Sequence, residues 1–249
     1  MKRLGKHYYR LMYYASWLVF GLVGLGLNVA CAVLLPLPRT PWLQKRTRAS
    51  IGQLFRLWSR WLHATGIVRV RWIGFPDVLR TGTVYIANHP TLVDATMLLC
   101  RLPDTFCIFK PALMRNPCIA PAAIMAGYEV GNRHVDTLRA AAAKVASGQS
   151  LLVFPEGTRT APGTPLGRIK PGFALLARRA HAPVQLLLIR SSPGLVTRCR
   201  PWWKLPEVLP GSIDITYDRC WEDSPGQRPG EFSSQVEQYM LSRLPGPVE

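Results

Sequence analysis

The fold is decided by residues 84–94, which read VYIANHPTLVD. The stretch opens with a short apolar run of β-branched and aromatic residues, a pattern typical of a buried strand. The run stops at the Asn-His-Pro sequence of residues 88–90, and an apolar, helix-compatible segment follows over residues 94–102. We therefore expect a strand, a sharp turn and the start of a helix, with His89 and Asp94 at opposite ends of the turn.

The spacing of His89 and Asp94 lets the carboxylate reach one imidazole nitrogen while the other nitrogen faces an open cleft. A histidine held in this way acts as a general base, which takes the proton from an alcohol as it attacks an activated acyl group. The alternative is structural: His89 bonds a nearby carbonyl and Asp94 caps the helix. These two residues alone do not decide between the two interpretations, because His and Asp within one turn are a common coincidence.

A second motif follows at residues 151–159. The sequence LLVF at 151–154 has the pattern of a buried strand and runs directly into PEGTR at 155–159. The order NHxxxxD and then FPEGTR resembles the glycerolipid acyltransferase family, whose best-known members are the 1-acylglycerol-3-phosphate (lysophosphatidate) acyltransferases. The second motif is highly specific, and the ordered pair is more so. The resemblance extends roughly from Val68 to Ile215.

This resemblance implies a direct acyl transfer. His89, oriented by Asp94, would deprotonate a lipid hydroxyl, which attacks a thioester carried by coenzyme A or by acyl carrier protein. Asn88, in the same motif, is assigned to substrate binding. The acyl donor is a co-substrate, so we expect neither a cofactor nor a metal ion.

The second motif supplies four further candidates for substrate binding, Glu156, Gly157, Thr158 and Arg159. Gly157 permits close approach of the backbone, and Arg159 supplies a cation for a phosphate. Glu156 repels phosphate, so we expect it to bond an acceptor hydroxyl or to pair with and orient an arginine. The alternative is a Pro-Glu-Gly turn that contacts no ligand.

Three more basic residues are candidates for contacting an anion. Arg133 ends the segment GYEVGNR, which resembles a family block that carries the acceptor's phosphate. Asn132 stands where that block frequently has an acidic residue, which leaves the acceptor head group open. Arg168 and Lys170 precede a predicted helix, whose N-terminus suits an anion. The alternative for all three is an ordinary surface charge.

Positive charge is concentrated in the N-terminal third of the chain. The formal net charge is +17, and the segment up to Arg80 holds 13 basic residues and one acidic residue. Such a region suits nucleic acid or an anionic membrane surface. Residues 15–35 carry no formal charge, and as a helix they cover about 30 Å, enough to cross a hydrocarbon core. The apolar content therefore indicates a membrane and not nucleic acid.

Residues 44–66 predict a second helix that is basic, amphipathic and rich in tryptophan. Such a helix can lie in the headgroup layer, with arginines on anionic lipid and indoles at the interface. The alternative is an ordinary helix that packs on the catalytic domain, and both can hold. Because positive charge flanks residues 15–35 on both sides, a hairpin in one leaflet explains the charge pattern better than a single crossing.

The sequence predicts two domains. Residues 1–66 form a membrane-associated helical hairpin, and residues 67–249 form an α/β domain with a mainly parallel sheet flanked by helices. We expect a bacterial-type inner (cytoplasmic) membrane, with the catalytic domain facing the cytoplasm. The predicted strands lie near 68–73, 83–87, 105–109, 128–131, 151–154, 184–189 and 212–217, and the helices near 94–102, 134–147, 170–180 and 231–243. Residues 192–211 and 224–230 are predicted to be surface loops.

The remaining motifs narrow the function class. Six cysteines show no Cys-x-x-Cys spacing and are interpreted as reduced thiols of a cytoplasm-facing protein. The chain has no Gly-x-Ser-x-Gly sequence, which weighs against a serine hydrolase and a covalent acyl-enzyme.

Three functions stay open. The first is a membrane-bound O-acyltransferase that makes phosphatidate from lysophosphatidate. The second is the same chemistry on another acceptor, such as a lyso-ornithine lipid or a glycolipid precursor. The third is a non-catalytic membrane-binding protein on the same fold, and the intact motif residues His89, Asp94, Glu156 and Arg159 weigh against it.

Overall fold

The chain begins with two helices that pack against each other. The computed structural model describes residues 2–131, 135–223 and 226–244. Helices α1 (Lys2–Leu34) and α2 (Pro41–Ala64) run antiparallel, since Tyr8 bonds the carbonyl of Thr65 while Phe20 stacks on Phe55. A short turn follows α1. Thr40 then caps α2 by accepting a hydrogen bond from the Leu43 N–H.

The rest of the described chain alternates strands and helices. In order these are β1 (Val68–Ile73), β2 (Val84–Ala87), α3 (Asp94–Leu99), β3 (Thr105–Phe109), a 3-10 helix (Pro111–Arg115), α4 (Ala120–Met125), β4 (Glu129–Val130), α5 (Val135–Ala146), β5 (Ser150–Val153), α6 (Gly172–Ala180), β6 (Val184–Ser191), β7 (Gly211–Trp221) and α7 (Pro229–Arg243).

Within the described residues the strands form one sheet in the order β1-β7-β6-β2-β5-β3-β4. Strands β2 to β6 are parallel to one another. Strand β7 runs antiparallel to β6, and β1 runs parallel to β7. The prediction of a mainly parallel sheet flanked by helices, with a long apolar helix at the N-terminus, is confirmed.

Alternating side chains of the central strands form a core on each face of the sheet. Val84 and Ile86 pack with apolar residues of α5, α6 and α7. Tyr85 and Ala87 pack on the other face with residues of α1, α2 and α3. All four side chains are fully buried. This double burial explains why the central strands have continuous apolar sequences and not alternating ones.

Helix α1 has one packed face and one exposed face. Tyr13, Ser16 and Cys31 are buried against the rest of the protein. The opposite face exposes large apolar side chains at helical spacing, which we call the α1 stripe: Leu11, Tyr14, Leu18, Leu22, Leu25, Val29 and Val33. In the part of the chain that the structure describes, α1 is the one helix whose length and composition would allow it to cross a membrane.

The packing of α2 decides between the two interpretations of its sequence. Trp58 is 5% exposed, and its indole N–H donates to the backbone carbonyl of Ser16 in α1. Arg48 is also buried, where it forms an ion pair with Asp104 at 2.8 Å. Trp58 and Arg48 therefore do not lie at a headgroup layer, because α1 and the catalytic domain cover them. The alternative of a packing helix is correct for this face of α2.

Two segments differ from the sequence prediction. Residues 111–125 contain a 3-10 helix and α4, for which the sequence suggested no element. Residues 192–211 were predicted to be a surface loop, but Leu195 and Val196 are buried and β7 already begins at Gly211. The domain boundary expected at residues 66/67 falls in the turn between α2 and β1, and it stays a prediction.

Candidate active site

Three adjacent strands bring the candidate residues to one edge of the sheet. His89 follows β2, Glu156 follows β5, and Thr197 lies in the loop that follows β6. Strand β2 pairs with β5 on one side and with β6 on the other, in parallel. The carboxyl ends of parallel strands in an α/β sheet form the usual ligand-binding edge. This topology explains how motifs far apart in sequence meet.

His89 and Asp94 form the hydrogen bond that the sequence suggested. His89 Nδ1 lies 2.8 Å from Asp94 Oδ2, and Asp94 is completely buried. The same carboxylate oxygen accepts the Thr91 N–H at 2.7 Å, and the other accepts the Thr91 hydroxyl. Asp94 therefore fixes both the imidazole and the turn that carries it. Since Asp94 engages Nδ1, Nε2 is the ring nitrogen left for other contacts.

The surroundings of this pair strengthen the carboxylate as a proton acceptor. Burial raises the pKa of the Asp94 carboxyl above its ordinary value, while hydrogen bonds from His89 and Thr91 act in the opposite direction. The imidazole stacks on Phe154, with ring centroids 4.1 Å apart and planes 19° apart. The His89 side chain is 19% exposed. Phe154 thus covers one face of the ring and Asp94 bonds one ring nitrogen, while part of the ring stays exposed to solvent.

The Glu156 carboxylate accepts three hydrogen bonds from the surrounding protein. One carboxylate oxygen accepts the backbone N–H of His89 at 2.9 Å and the hydroxyl of Thr160 at 2.9 Å. The other oxygen accepts the N–H of Gly167 at 2.7 Å. Glu156 is 4% exposed. Glu156 therefore positions the histidine turn and the segment before α6. Its predicted contact with an acceptor hydroxyl stays a prediction.

Asn88 likewise joins backbone elements. Its amide nitrogen donates to the carbonyl of Ile189 at 2.8 Å, and its amide oxygen accepts the Ile189 N–H at 2.8 Å. The side chain is 2% exposed. These bonds give Asn88 a structural role, and its predicted role in substrate binding stays a prediction. Asn88 continues the pairing of β2 with β6 after the strand itself has ended, which fixes the start of the histidine turn.

Two glycines leave room for charged side chains. Gly157 has a φ of +67°, and a Cβ there would lie 2.9 Å from Nζ of Lys170. At Gly167 an added Cβ would lie 2.5 Å from a carboxylate oxygen of Glu156. Gly157 therefore serves the turn geometry, which glycine tolerates, and its predicted role in substrate binding stays a prediction. Gly167 allows the close backbone approach that the carboxylate of Glu156 requires.

A cavity of about 470 Å³ opens beside Glu156. Its lining includes four cations, Arg159, Arg168, Lys170 and Arg198, together with Thr158. One nitrogen of Arg159 donates to the carbonyls of Val196 and Thr197, at 3.2 and 3.1 Å. Arg168 and Lys170 are exposed at the surface of the cavity. Four positive charges around one depression favour an anionic ligand.

One candidate residue lies outside the part of the chain that the structure describes, and some residues of the site were not predicted. Arg133 lies outside the described residues. Thr91, which bonds Asp94, was quoted only as part of a motif, and Thr160, which bonds Glu156, was missed because it lies just after the second motif. Arg198 was missed because it lies in a Pro- and Gly-containing segment with no recognisable pattern. In the described ranges, no group of three or more His, Cys, Asp or Glu side chains is arranged to hold a metal ion.

Comparison with known proteins identifies a family model that matches part of the α/β domain. Residues 69–189 match the family model described as Acyltransferase. The matched range contains both motifs, from β1 to the end of the buried part of β6. The resemblance to glycerolipid acyltransferases is thereby confirmed.

Two curated relatives share part of the sequence. A 1-acyl-sn-glycerol-3-phosphate acyltransferase of Cocos nucifera is 28% identical over 192 residues, which are 71% of this chain and 57% of the relative. The chloroplastic 1-acyl-sn-glycerol-3-phosphate acyltransferase BAT2 of Brassica napus is 33% identical over 109 residues, covering 42% and 31% respectively. The chain thus spans little more than half the length of the first relative and about a third of the second.

A solved structure shares the fold over nearly the whole chain. The 1-acyl-sn-glycerophosphate (LPA) acyltransferase PlsC from Thermotoga maritima superposes with a TM-score of 0.70 and 19% sequence identity. The match covers 98% of this chain and 97% of that one. It therefore includes the N-terminal helices as well as the α/β domain.

Proposed function

We propose, from the match of residues 69–189 to the family model described as Acyltransferase, that the protein is a membrane-bound O-acyltransferase. It transfers a fatty acyl group from a thioester of coenzyme A or acyl carrier protein to the hydroxyl of a lysophospholipid. The proposed acceptor is 1-acylglycerol-3-phosphate, and the product is phosphatidate. The observation that carries the proposal is the bond between His89 Nδ1 and the buried carboxylate of Asp94.

The chemistry needs a base, and His89 supplies it. The Asp94 carboxylate accepts a hydrogen bond from the Nδ1–H of His89. The unprotonated Nε2 then accepts the hydroxyl proton of the lipid. The oxygen freed of its proton attacks the thioester carbonyl carbon, and a tetrahedral intermediate forms. When the intermediate collapses the carbon–sulfur bond breaks, and the departing sulfur takes the proton back from His89. No covalent acyl-enzyme is required, and general-base catalysis of this kind contributes about 10²–10⁴-fold.

The acceptor's phosphate suits the cationic cavity. Arg168, Lys170 and Arg198 line it, and their side chains are exposed. Guanidinium groups bind phosphate oxygens through paired N–H donors. Arg159 contributes its charge while one of its nitrogens holds Val196 and Thr197 in place. Glu156 lines the cavity and also bonds the backbone of His89, so this one residue stabilises both the proposed phosphate site and the turn that carries the base.

The α1 stripe supports attachment to a bilayer. Its seven apolar side chains recur at helical spacing, and each is at least 39% exposed, an arrangement that costs free energy in water. The other face of α1 contacts the protein along much of the helix, from the Tyr8 hydroxyl on Thr65 to the Asn28 amide oxygen on Ala122. A helix fastened along its length in this way favours insertion into one leaflet over a crossing. We propose that the leaflet is the cytoplasmic face of a bacterial-type inner membrane.

The test is an acceptor and donor panel. Thiol release from acyl-CoA and from acyl-acyl carrier protein would be followed with detergent-purified protein and lysophosphatidate. Lyso-ornithine lipid, a glycolipid precursor and a neutral lysophospholipid would serve as competing acceptors. The proposal expects release that depends on lysophosphatidate and a phosphatidate product identified by mass spectrometry. Release with only another acceptor would keep the chemistry and overturn the substrate, and no release with any pair would overturn the enzyme.

A further inference from the structure

The loop between β6 and β7, residues 192–210, connects the active site with helix α1. At the site end, the carbonyl of Val196 accepts the Leu92 N–H at 3.0 Å and a nitrogen of Arg159 at 3.2 Å. At the other end, the hydroxyl of Tyr14 donates to the carbonyl of Trp203 at 3.0 Å. Side chains of α1 thus hold one end of this loop, and residues beside His89 hold the other.

The α1 end of the loop exposes two tryptophans. Trp202 is 44% exposed and Trp203 is 59% exposed, and their ring centroids are 5.8 Å apart. One side of Trp202 is covered by Trp17 of α1, at 5.5 Å between centroids. Two adjacent indoles at such exposure form an apolar projection whose removal from water is favourable. The backbone beneath them is fixed by α1, so the projection is preformed.

This projection is continuous with the α1 stripe. Tyr14, which bonds the backbone of Trp203, belongs to the stripe and has Leu11 and Leu18 as its neighbours on the same helix face. The exposed indole of Trp203 therefore adjoins the side chains by which α1 is proposed to enter a bilayer. A bilayer that the α1 stripe enters therefore also contacts the loop.

The charges on the loop identify the chemistry of that surface. Arg198 and Lys204 are exposed, on either side of the two tryptophans. The Glu207 carboxylate pairs with Arg200 at 2.6 Å, so it does not neutralise the exposed charges of Arg198 and Lys204. Indoles flanked by cations are the composition that lies at the boundary of headgroups and acyl chains, with the cations on anionic lipid.

We propose that residues Trp202, Trp203 and Lys204 are a second membrane-contacting element, whose partner is the headgroup layer of an anionic bilayer. This inference rests on the proposed function, in which the α1 stripe enters the same leaflet. It adds a consequence for catalysis. Arg198 lines the cationic cavity only four positions before Trp202, so the seated loop holds the mouth of that cavity at the lipid surface. An acceptor lipid then presents its phosphate to the cavity while its acyl chain stays in the leaflet.

The test uses a fluorescent reporter at single positions in the full-length protein. Cys118 and Cys199, which are exposed, are replaced by serine, and one new cysteine is added and labelled with the environment-sensitive dye NBD. The positions are Trp203→Cys for the loop, Leu22→Cys for the α1 stripe and Leu241→Cys on α7, whose residue is 44% exposed and lies on the other face of the sheet. The labelled proteins are reconstituted into vesicles of phosphatidylglycerol and phosphatidylethanolamine that carry a shallow doxyl-lipid quencher.

We expect the label at position 203 to be quenched by the doxyl lipid severalfold more than the label at 241, and to be shielded from aqueous iodide. Quenching at position 22 with none at 203 would overturn this inference and leave the membrane-bound acyltransferase standing. Quenching at neither position would overturn both the inference and the proposed attachment. Thiol release by each labelled protein is measured separately, so that a loss of acyl transfer is not mistaken for a loss of membrane contact.

Discussion

Replacing Glu156 with glutamine tests the role that the structure gives to this residue. The carboxylate accepts three hydrogen bonds, two of them from the backbone N–H groups of His89 and Gly167 on different oxygens. A glutamine offers only one carbonyl oxygen, so its NH₂ group must face one of these N–H donors. Whichever orientation it takes, one buried donor loses its acceptor.

The magnitude follows from that lost acceptor. Leaving one buried donor unsatisfied costs about 1–3 kcal/mol of folding free energy. For a protein of this size 1 kcal/mol corresponds to about 2–4 °C in the unfolding midpoint, so a loss near 2 kcal/mol lowers the midpoint by about 4–8 °C. The same change loosens the histidine turn. A displacement of about 1 Å at a reacting group costs on the order of 10²-fold in rate, so we expect kcat to fall about ten- to a hundredfold.

The assay compares thermal unfolding in detergent with steady-state kinetics against the acceptor. Glu231→Gln, which removes an exposed carboxylate on α7, is the matched control and should change neither quantity. A positioning role predicts a lower unfolding midpoint and a lower kcat with little change in the KM for the acceptor. An unchanged midpoint together with a raised acceptor KM would refute the reasoning, and it would return Glu156 to the substrate-binding role that the sequence suggested.

Three further predictions concern the cavity, a close backbone approach and the buried thiols. Arg198→Ala should raise the KM for a phosphate-bearing acceptor by up to about fivefold, as expected for an exposed ionic contact, with little change in kcat. Gly167→Ala should lower both the unfolding midpoint and the rate of thiol release, because the new Cβ would lie 2.5 Å from a Glu156 carboxylate oxygen. Burial raises the pKa of the Cys100 thiol to about 11 and that of Cys107 to about 12, so at pH 8 both stay protonated and should resist iodoacetamide in the native protein.

Each of these has a matched control. Arg178→Ala removes an exposed cation of α6 that does not line the cavity, and equal effects on the acceptor KM would contradict a role for Arg198. Gly172→Ala adds a Cβ with nothing within 4 Å and should be tolerated. For the thiols, mass spectrometry should find label on exposed Cys118 and Cys199 before denaturant is added, and equal native labelling of all positions would contradict the burial.

The sequence predicted the parts of the site that depend on local pattern. A buried apolar strand that ends at Asn88-His89-Pro90 identified both the turn and its helix. Parallel pairing of β2 with β5 then explained why a motif at residues 154–159 lies beside it. These inferences needed only the periodicity of strands and the rule that parallel strands present their carboxyl ends together.

The sequence failed where a side chain's partner is set by tertiary contact. Glu156 and Asn88 belong to the recognisable motifs, and their polar groups suggested ligand contacts. In the structure they satisfy backbone groups of His89, Gly167 and Ile189, which are partners that the sequence did not indicate. Buried backbone donors must find acceptors, and a polar side chain at a strand end can supply one.

The loop over residues 192–210 could not be predicted for a different reason. Its prolines and glycines indicated a surface connection, and only the short run of Leu195 and Val196 signalled burial. The carbonyls that receive Arg159 and the tyrosines of α1 are backbone atoms, which leave no mark in the side-chain sequence. The partner of Arg48 could not be predicted either. Arg48 is a basic residue on an amphipathic helix, and it pairs with Asp104 on a turn that is distant in sequence.

The central claim is that His89, held by Asp94, is the general base of an acyl transfer. The most direct measurement is the rate of thiol release from acyl-CoA in the presence of lysophosphatidate, for the unaltered protein, His89→Ala and the control His63→Ala. His63 is exposed in the last turn of α2. We predict that His89→Ala loses about 10²–10⁴-fold of the rate while it stays folded, and that His63→Ala keeps its activity. Equal rates for His89→Ala and the unaltered protein would contradict it.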